Sequence, residues 1–331
     1  MLLPTSNVTV TVDGPFCYDK YLAIILVVTV ECVAHSYKAL RVKSSSLTRQ
    51  ILLGILYTGL FLFALSRYRQ ANSDRSDFFE TARLCILSYV DGTSDLEKQW
   101  TNFPYYVNKC APKNRLPIQG FSNTDEMKYH VMPMPYVSNV VNCSIISLGI
   151  GKDVEAEKSM QTALPNCQFW GADPVNETNA EIFPEVGKFY NIAVGAENGT
   201  FRSYVLEDIY RYQEVKYMDL VTFIRSFVKR PVIDQIMIDI EHAEYPVLPF
   251  FLKEGELSKN NIVICQMNIE VHRPNSEQLE QFFKFYQSLM KEKQWTLMSA
   301  SSIIGHLRDT SVAFGAVRVH NSYELRKCTY I

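Results

Sequence analysis

Four ionisable side chains, Asp239, Glu241, His242 and Glu244, fall within six consecutive positions. They follow VIDQIMI, an apolar run of the kind that forms a central strand covered on both faces. A second run, VICQMNIEVHRP, ends in Glu270, His272 and Arg273. Carboxylates and an imidazole at neighbouring strand ends suit removal of a proton from a reacting hydroxyl. Asp239 is the first choice for base or positioning group, because it ends the central strand. His272 is its rival, since an imidazole is poised near neutral pH. Glu241 and Glu270 complete the catalytic candidates. Plainer uses exist for the same residues. Asp239 and Glu241 can cap a helix beginning near Ala243, His272 can be a satisfied structural histidine, and His242 a surface or helix-start residue. No metal site is indicated, although Asp239, Glu241, Glu270 and His272 could converge as oxygen and nitrogen ligands.

Upstream, residues 145–174 supply a second constellation. IISLGIGKD is an apolar run entering a turn with Gly149 and Gly151. About a dozen helix-compatible residues follow, then CQFWGADP. Glycines let a backbone come close to a ligand, and the next helix offers free N–H groups. An acid about 20 residues on, at the tip of the second strand, suits a ribose diol; Asp173 has that place. A dinucleotide fingerprint wants a third glycine where this chain has Val154, and there is no phosphate-binding G-x-x-x-x-G-K-[ST] loop. Two glycines and a later acid fit S-adenosylmethionine (SAM) better than NAD. Gly149, Gly151, Asp153, Asp173 and Asn191 are the candidate cofactor-binding residues.

These groups need a scaffold that gathers strand ends. From residue 140 the pattern alternates strand and helix, which argues for a mostly parallel, doubly wound sheet. Strands are expected at 144–148, 167–172, 188–194, 233–239, 261–271, 295–300 and 311–319. Helices are expected at 153–164, 175–183, 217–229, 243–254 and 275–292. Seven strands with a final hairpin is the α/β, Rossmann-like architecture of class I SAM-dependent methyltransferases. In such sheets the ligand lies beyond the carboxyl ends of the strands.

The segment MDLVTFI, with IDQIMIDIEHAEYPVL after it, resembles the signature of FkbM-type methyltransferases. The matching residues are Asp219, Leu220, Asp239, Glu241 and Glu244, and SLGIGKD, GADP and NIAVG fit the same order. The resemblance covers about residues 140–320 and is similar to membrane-anchored nematode forms. It implies SAM as cofactor. Two positions depart from the family pattern: Met237 stands where a lysine is expected, and His242 where a glycine is expected.

The 331 residues carry a net charge of −2 and no basic stripe, so a nucleic-acid partner is not indicated. Residues 51–66 form an uncharged apolar run between Arg49 and Arg67, a little short of the ~20 residues that cross a bilayer. Residues 21–34 are apolar but include Glu31, a second span or an interfacial segment. Lys38, Arg41, Lys43 and Arg49, with no acid over 35–50, place that stretch in the cytosol by the positive-inside rule. The remainder then lies in the ER or Golgi lumen, or outside the cell. Sequons at Asn7, Asn142, Asn176 and Asn198 agree. So do six cysteines after the apolar region, of which Cys85, Cys110 and Cys328 are the better bridge candidates. Cys143 and Cys265 are equally well read as buried free thiols.

Three regions result: a membrane region over 1–70, a stem over 71–135, and a catalytic domain over 136–331. The expected function is membrane-anchored, SAM-dependent O-methylation of a hydroxyl on a glycan, lipid or small metabolite. The alternative is a non-catalytic SAM-fold binding or scaffold module, motivated by Met237 and His242.

Overall fold

The structure, a computed structural model, describes residues 46–90, 94–111, 116–124, 126–133, 143–206, 209–304, 310–318 and 328. The expected segment 21–34 and the sequons at Asn7 and Asn142 lie outside these residues. The chain divides into two units, Met1–Phe78 and Phe79–Ile331.

Residues 51–66 lie in a long helix, α1 (Ser46–Val90). The expected membrane span is not supported: among the described residues no helix is long and apolar enough to cross a membrane. The uncharged run is short, and the same helix continues through Arg67, Arg69, Asp74 and Arg75.

The second unit is built on a seven-stranded sheet. Its strands are β3 (Cys143–Leu148), β4 (Cys167–Ala172), β5 (Lys188–Tyr190), β10 (Gln235–Ile238), β12 (Gln266–Val271), β13 (Trp295–Ile304) and β14 (Thr310–Arg318). Their order is β13-β14-β12-β10-β3-β4-β5. The strands from β12 to β5 pair in parallel, and β14 is antiparallel to both β12 and β13. Every residue of β3 and of β10 is buried, as the middle of a sheet covered on both faces requires.

One face is covered by α2 (Leu96–Cys110), the end of α1, and a 16-residue helix over Ser276–Lys291. Phe282 is met edge-on by Trp100 and Phe103, at 5.1 and 5.2 Å between ring centres. On the other face α3 (Glu155–Ala163) packs Ala156 and Met160 against Ile145, Phe169 and Met237.

Two expected strands are interrupted. Residues 188–194 divide into β5 and β6 (Ala193–Gly195), because the chain leaves the main sheet at Asn191 and Ile192. The run 233–239 divides at Asp234, whose carboxylate accepts from Ser144 N at 2.7 Å, leaving β9 (Val232–Ile233) and β10. β9 pairs with β11 (Val263–Ile264). Two hairpins are additions to the expected plan. β1 (Ile118–Ser122) and β2 (Met127–Val131) pair within the stretch read as stem, and Asn268 and Gln266 of β12 bond their backbone. β7 (Gly199–Leu206) and β8 (Tyr210–Asp219) form the other, with β6 parallel to β8. The helix expected from 217 therefore starts only at Leu220, capped by the Asp219 carboxylate on Thr222 N at 2.9 Å.

Three disulfides join Cys85 to Cys110, Cys143 to Cys167 and Cys265 to Cys328. Cys143 and Cys265 are thus bridged, not free. Of the two described sequons, Asn176 is exposed, while the Asn198 amide bonds the Asp219 carboxylate at 2.6 Å.

Candidate active site

The chain leaves β3 through Gly149 and Gly151, at φ +76° and +62°. A Cβ on Gly149 would lie 1.6 Å from the Asp239 carbonyl oxygen, so only glycine lets these two strand ends meet. A Cβ on Gly151 would touch nothing within 4 Å, which leaves its backbone open to a ligand. Asp173, one residue past β4, supports this turn. One carboxylate oxygen accepts from Ile150 N at 2.8 Å and more weakly from Gly151 N at 3.4 Å. The other accepts from Val175 N at 2.7 Å. Burial pushes this carboxyl up, against the pull of those N–H groups.

Asp153 and Asn191 also have partners within the chain. Asp153 accepts from Glu155 N at 2.9 Å, at the start of α3, and from the Thr124 hydroxyl and N–H. Burial opposes its ionisation, but those donors outweigh burial and hold it below its ordinary value. Asn191 donates to the carbonyls of Asp173 and Pro174. Neither lines the cleft described next.

That cleft, of about 70 Å³, lies over the glycine turn. Gly149, Gly151, Asp173 and Val175 form one wall, Asp239 and Glu241 another. Tyr204, Leu206, Tyr210 and Tyr217 of the β7–β8 hairpin roof it. It adjoins an open pocket of about 670 Å³ lined by Phe201, Arg202, Tyr212, His242, Arg273 and Gln278, among others. Tyr204, Tyr217 and Glu241 line both. An open glycine backbone, a carboxylate at the second strand and apolar walls fit a nucleoside cofactor such as SAM.

At the seam stands a cluster that gathers all four catalytic candidates. His272 Nδ1 lies 3.0 Å from Glu244 Oε1. Its Nε2 lies 3.2 Å from Glu241, 3.7 Å from Asp239 and 3.9 Å from Glu270. Glu244, missed as a candidate by sequence reasoning, is fully buried and also accepts from Ile240 N at 2.9 Å. Asp239 Oδ1 and Glu244 Oε2 are buried without a hydrogen-bond partner. Burial alone would lower the imidazole, but Glu244 and the other acids outweigh it and push it up to about 11. Burial, then the charge of Glu270, raises Asp239 well above the carboxylate range. Burial takes Glu270 to about 7. Tyr245 fixes the strand end by donating its hydroxyl to the His272 carbonyl.

Both departures from the FkbM pattern have a structural setting. Met237 is buried against the α3 face, in register with Ser147 of β3. The Ser147 hydroxyl donates to Glu157 at 2.9 Å, and Lys128 of β2 brings its ammonium 3.5 Å from the same carboxylate and 3.2 Å from Glu126. A buried cation therefore exists in this layer, supplied by a different strand. His242 has φ +72° and Glu241 φ +53°, the left-handed region that glycine adopts most cheaply. His242 therefore holds a positive φ without being glycine.

No curated protein matches this chain. Among solved structures it is similar to an O-methyltransferase from Bacillus cereus in complex with SAH, at 11% identity and TM-score 0.32, covering 55% of this chain and 77% of that one. It is similar also to Aeropyrum pernix fibrillarin with natively bound SAM, at 11% identity and TM-score 0.31, covering 54% and 67%. Residues 89–295 match the methyltransferase FkbM domain. With that match, the two-glycine turn and the strand-end carboxylates have one account: the chain belongs to the FkbM-domain methyltransferases and is a SAM-dependent enzyme.

Proposed function

We propose that the chain methylates a hydroxyl oxygen of an acceptor held in the pocket beside the cofactor cleft. The carrying observation is the shared wall: Tyr204, Tyr217 and Glu241 line both spaces, and Asp239 lines the cleft at their seam. When bound, SAM supplies an electrophilic methyl whose C–S bond electrons stay with sulfur as the new O–C bond forms. The residues of this chain hold the two reactants in line, the main requirement for such a transfer. Asp239 positions the hydroxyl and takes its proton. His272 is the weaker candidate for that step, because carboxylates stand at both of its ring nitrogens. Aromatic faces at Phe201 and Tyr212, with polar groups at Arg202, Arg273, Asn275 and Gln278, suit a hydroxyl-rich acceptor such as a glycan, a lipid headgroup or a polar metabolite.

The three disulfides support an oxidising compartment, the ER or Golgi lumen or the cell exterior. Ile55, Phe61, Leu62 and Phe63 are exposed on α1 and support attachment of that helix to a membrane.

Calorimetric titration of the full chain with SAM and S-adenosylhomocysteine, followed by an acceptor screen, tests the reading. Saturable binding of both is expected. Asp239→Asn should abolish transfer while cofactor affinity stays within about threefold, since its effect lies in the transfer step and not in uniform binding. No binding by the folded chain overturns the reading. Cofactor binding without turnover on any acceptor would favour the non-catalytic module.

A further inference from the structure

Four carboxylates crowd His272: those of Asp239, Glu241, Glu244 and Glu270. Gathering four carboxylates in a partly buried site, with Glu244 fully enclosed, is costly unless protons or a cation neutralise them. One imidazole carries at most a single positive charge for the whole group, and Arg273, the next residue, points its guanidinium at Glu97, 3.9 Å away. Hydrogen bonding within the cluster is also incomplete. Asp239 Oδ1 and Glu244 Oε2 are buried oxygens with no donor, and the Glu244 side chain has no exposed surface.

We infer that His272 Nε2, Asp239, Glu241 and Glu270 form a divalent-cation site, with Glu244 behind the imidazole at Nδ1. Donor atoms of Asp239, Glu244 and His272 all lie within 4.8 Å of one another. The three carboxylate oxygens nearest His272 Nε2 stand 3.2, 3.7 and 3.9 Å from it. Ligands bonded at about 2.1 Å to a six-coordinate ion sit roughly 3–4.2 Å from one another, so this is the spacing of a coordination shell. Glu244 holds Nδ1 at 3.0 Å and so fixes which ring nitrogen carries the proton, as carboxylates behind metal-bound histidines do. The bond from Ile240 N to Glu244 and the Tyr245 bond to the His272 carbonyl hold the donors in place from outside.

Several carboxylates and a single imidazole suit Mn²⁺ among common divalent ions, with Mg²⁺ weaker because it favours oxygen alone. The site stands where the cofactor cleft meets the acceptor pocket, through Asp239 and Glu241. An ion there would offer an open position to an acceptor oxygen and lower the cost of its losing a proton. That last role rests on the methyl-transfer reading; the binding of the ion does not.

The test is titration of the metal-stripped full chain with Mn²⁺ alone, read by loss of the free-ion electron paramagnetic resonance signal, with neither cofactor nor acceptor present. One ion per chain is expected. Glu244→Gln should weaken binding about 10–100-fold, the usual cost of removing a carboxylate behind a metal-bound histidine. Asp239→Asn and His272→Gln should remove the site, while Glu256→Gln, whose carboxylate pairs with Lys259 at 2.7 Å, should bind like the wild type. Because a variant can fail by unfolding, the wild-type chain is also followed by NMR, where bound Mn²⁺ should broaden the His272 imidazole signals before those of His130. Absence of saturation by about 1 mM Mn²⁺ in the folded wild type, equal binding by the Asp239 and His272 variants, or an unbroadened His272 would each overturn the assignment. Any of these would leave SAM binding and methyl transfer untouched as separate observations.

Discussion

Lys128 shows how a single residue can stand in for a missing motif position. Its ammonium is nearly buried between Glu157 and Glu126. Burial would strip its charge, but the carboxylates of Glu157 and Glu126 outweigh burial and raise its pKa. Removing one partner of such a cluster leaves an uncompensated buried charge, at a cost of about 3–5 kcal/mol. Lys128→Met should therefore lower stability by about that amount, measured by urea unfolding; a loss below about 1 kcal/mol would show that the charge is not needed there. The sequence could not reveal this. Met237 reads as a lost lysine because the replacement comes from β2, over a hundred residues earlier, in a stretch read as stem. That Gly149, Gly151 and Asp173 meet at one turn was legible, because it depends on local spacing. Glu244 was visible as one of four neighbouring polar groups, but its burial depends on His272, 28 positions away. For Asp153 and Asn191, spacing alone could not separate a ligand contact from a helix start or a loop clasp.

At the scale of elements, the parallel strands β3, β4, β10 and β12 and the long helix over Ser276–Lys291 follow from apolar runs and a capping box at Asn275 and Gln278. The β7–β8 hairpin does not. Its residues alternate with polar ones, Tyr210 and Tyr212 on one face of β8 and Val215 and Tyr217 on the other, a period-2 signal available in the sequence. It was hidden because the motif after it, with Asp219 and Leu220, drew a helix assignment over its last residues. This hairpin is the element expected to respond to cofactor. A roof over a cleft of about 70 Å³ must shift to admit a nucleoside and then pack on it. Hydrogen exchange of amides over 201–206 and 210–217 should slow on SAM binding, more than that of β3 or β4. Equal protection with and without SAM would remove the hairpin from the binding event.

For the whole molecule, the six bridged cysteines and the exposed apolar stretch of α1 point in one direction. Full-length chain made in a secretory host should resist alkylation of these six thiols until reduced, and should sediment with membranes at neutral pH. Reactive thiols before reduction would refute the oxidising compartment, and recovery in the soluble fraction would refute the membrane attachment. The charge pattern over 35–50 led to the same compartment from sequence; which cysteines meet was not legible there, because pairing depends on the fold. One of these pairs also bears on how the sheet is assembled. Cys143 and Cys167 are direct partners across the first rung of β3 and β4. A slip of one residue would turn every side chain of a strand to the opposite face and carry its sulfur away from the other. The covalent bond thus locks the one register in which the glycine turn at the far end of β3 comes into line with Asp173 at the far end of β4.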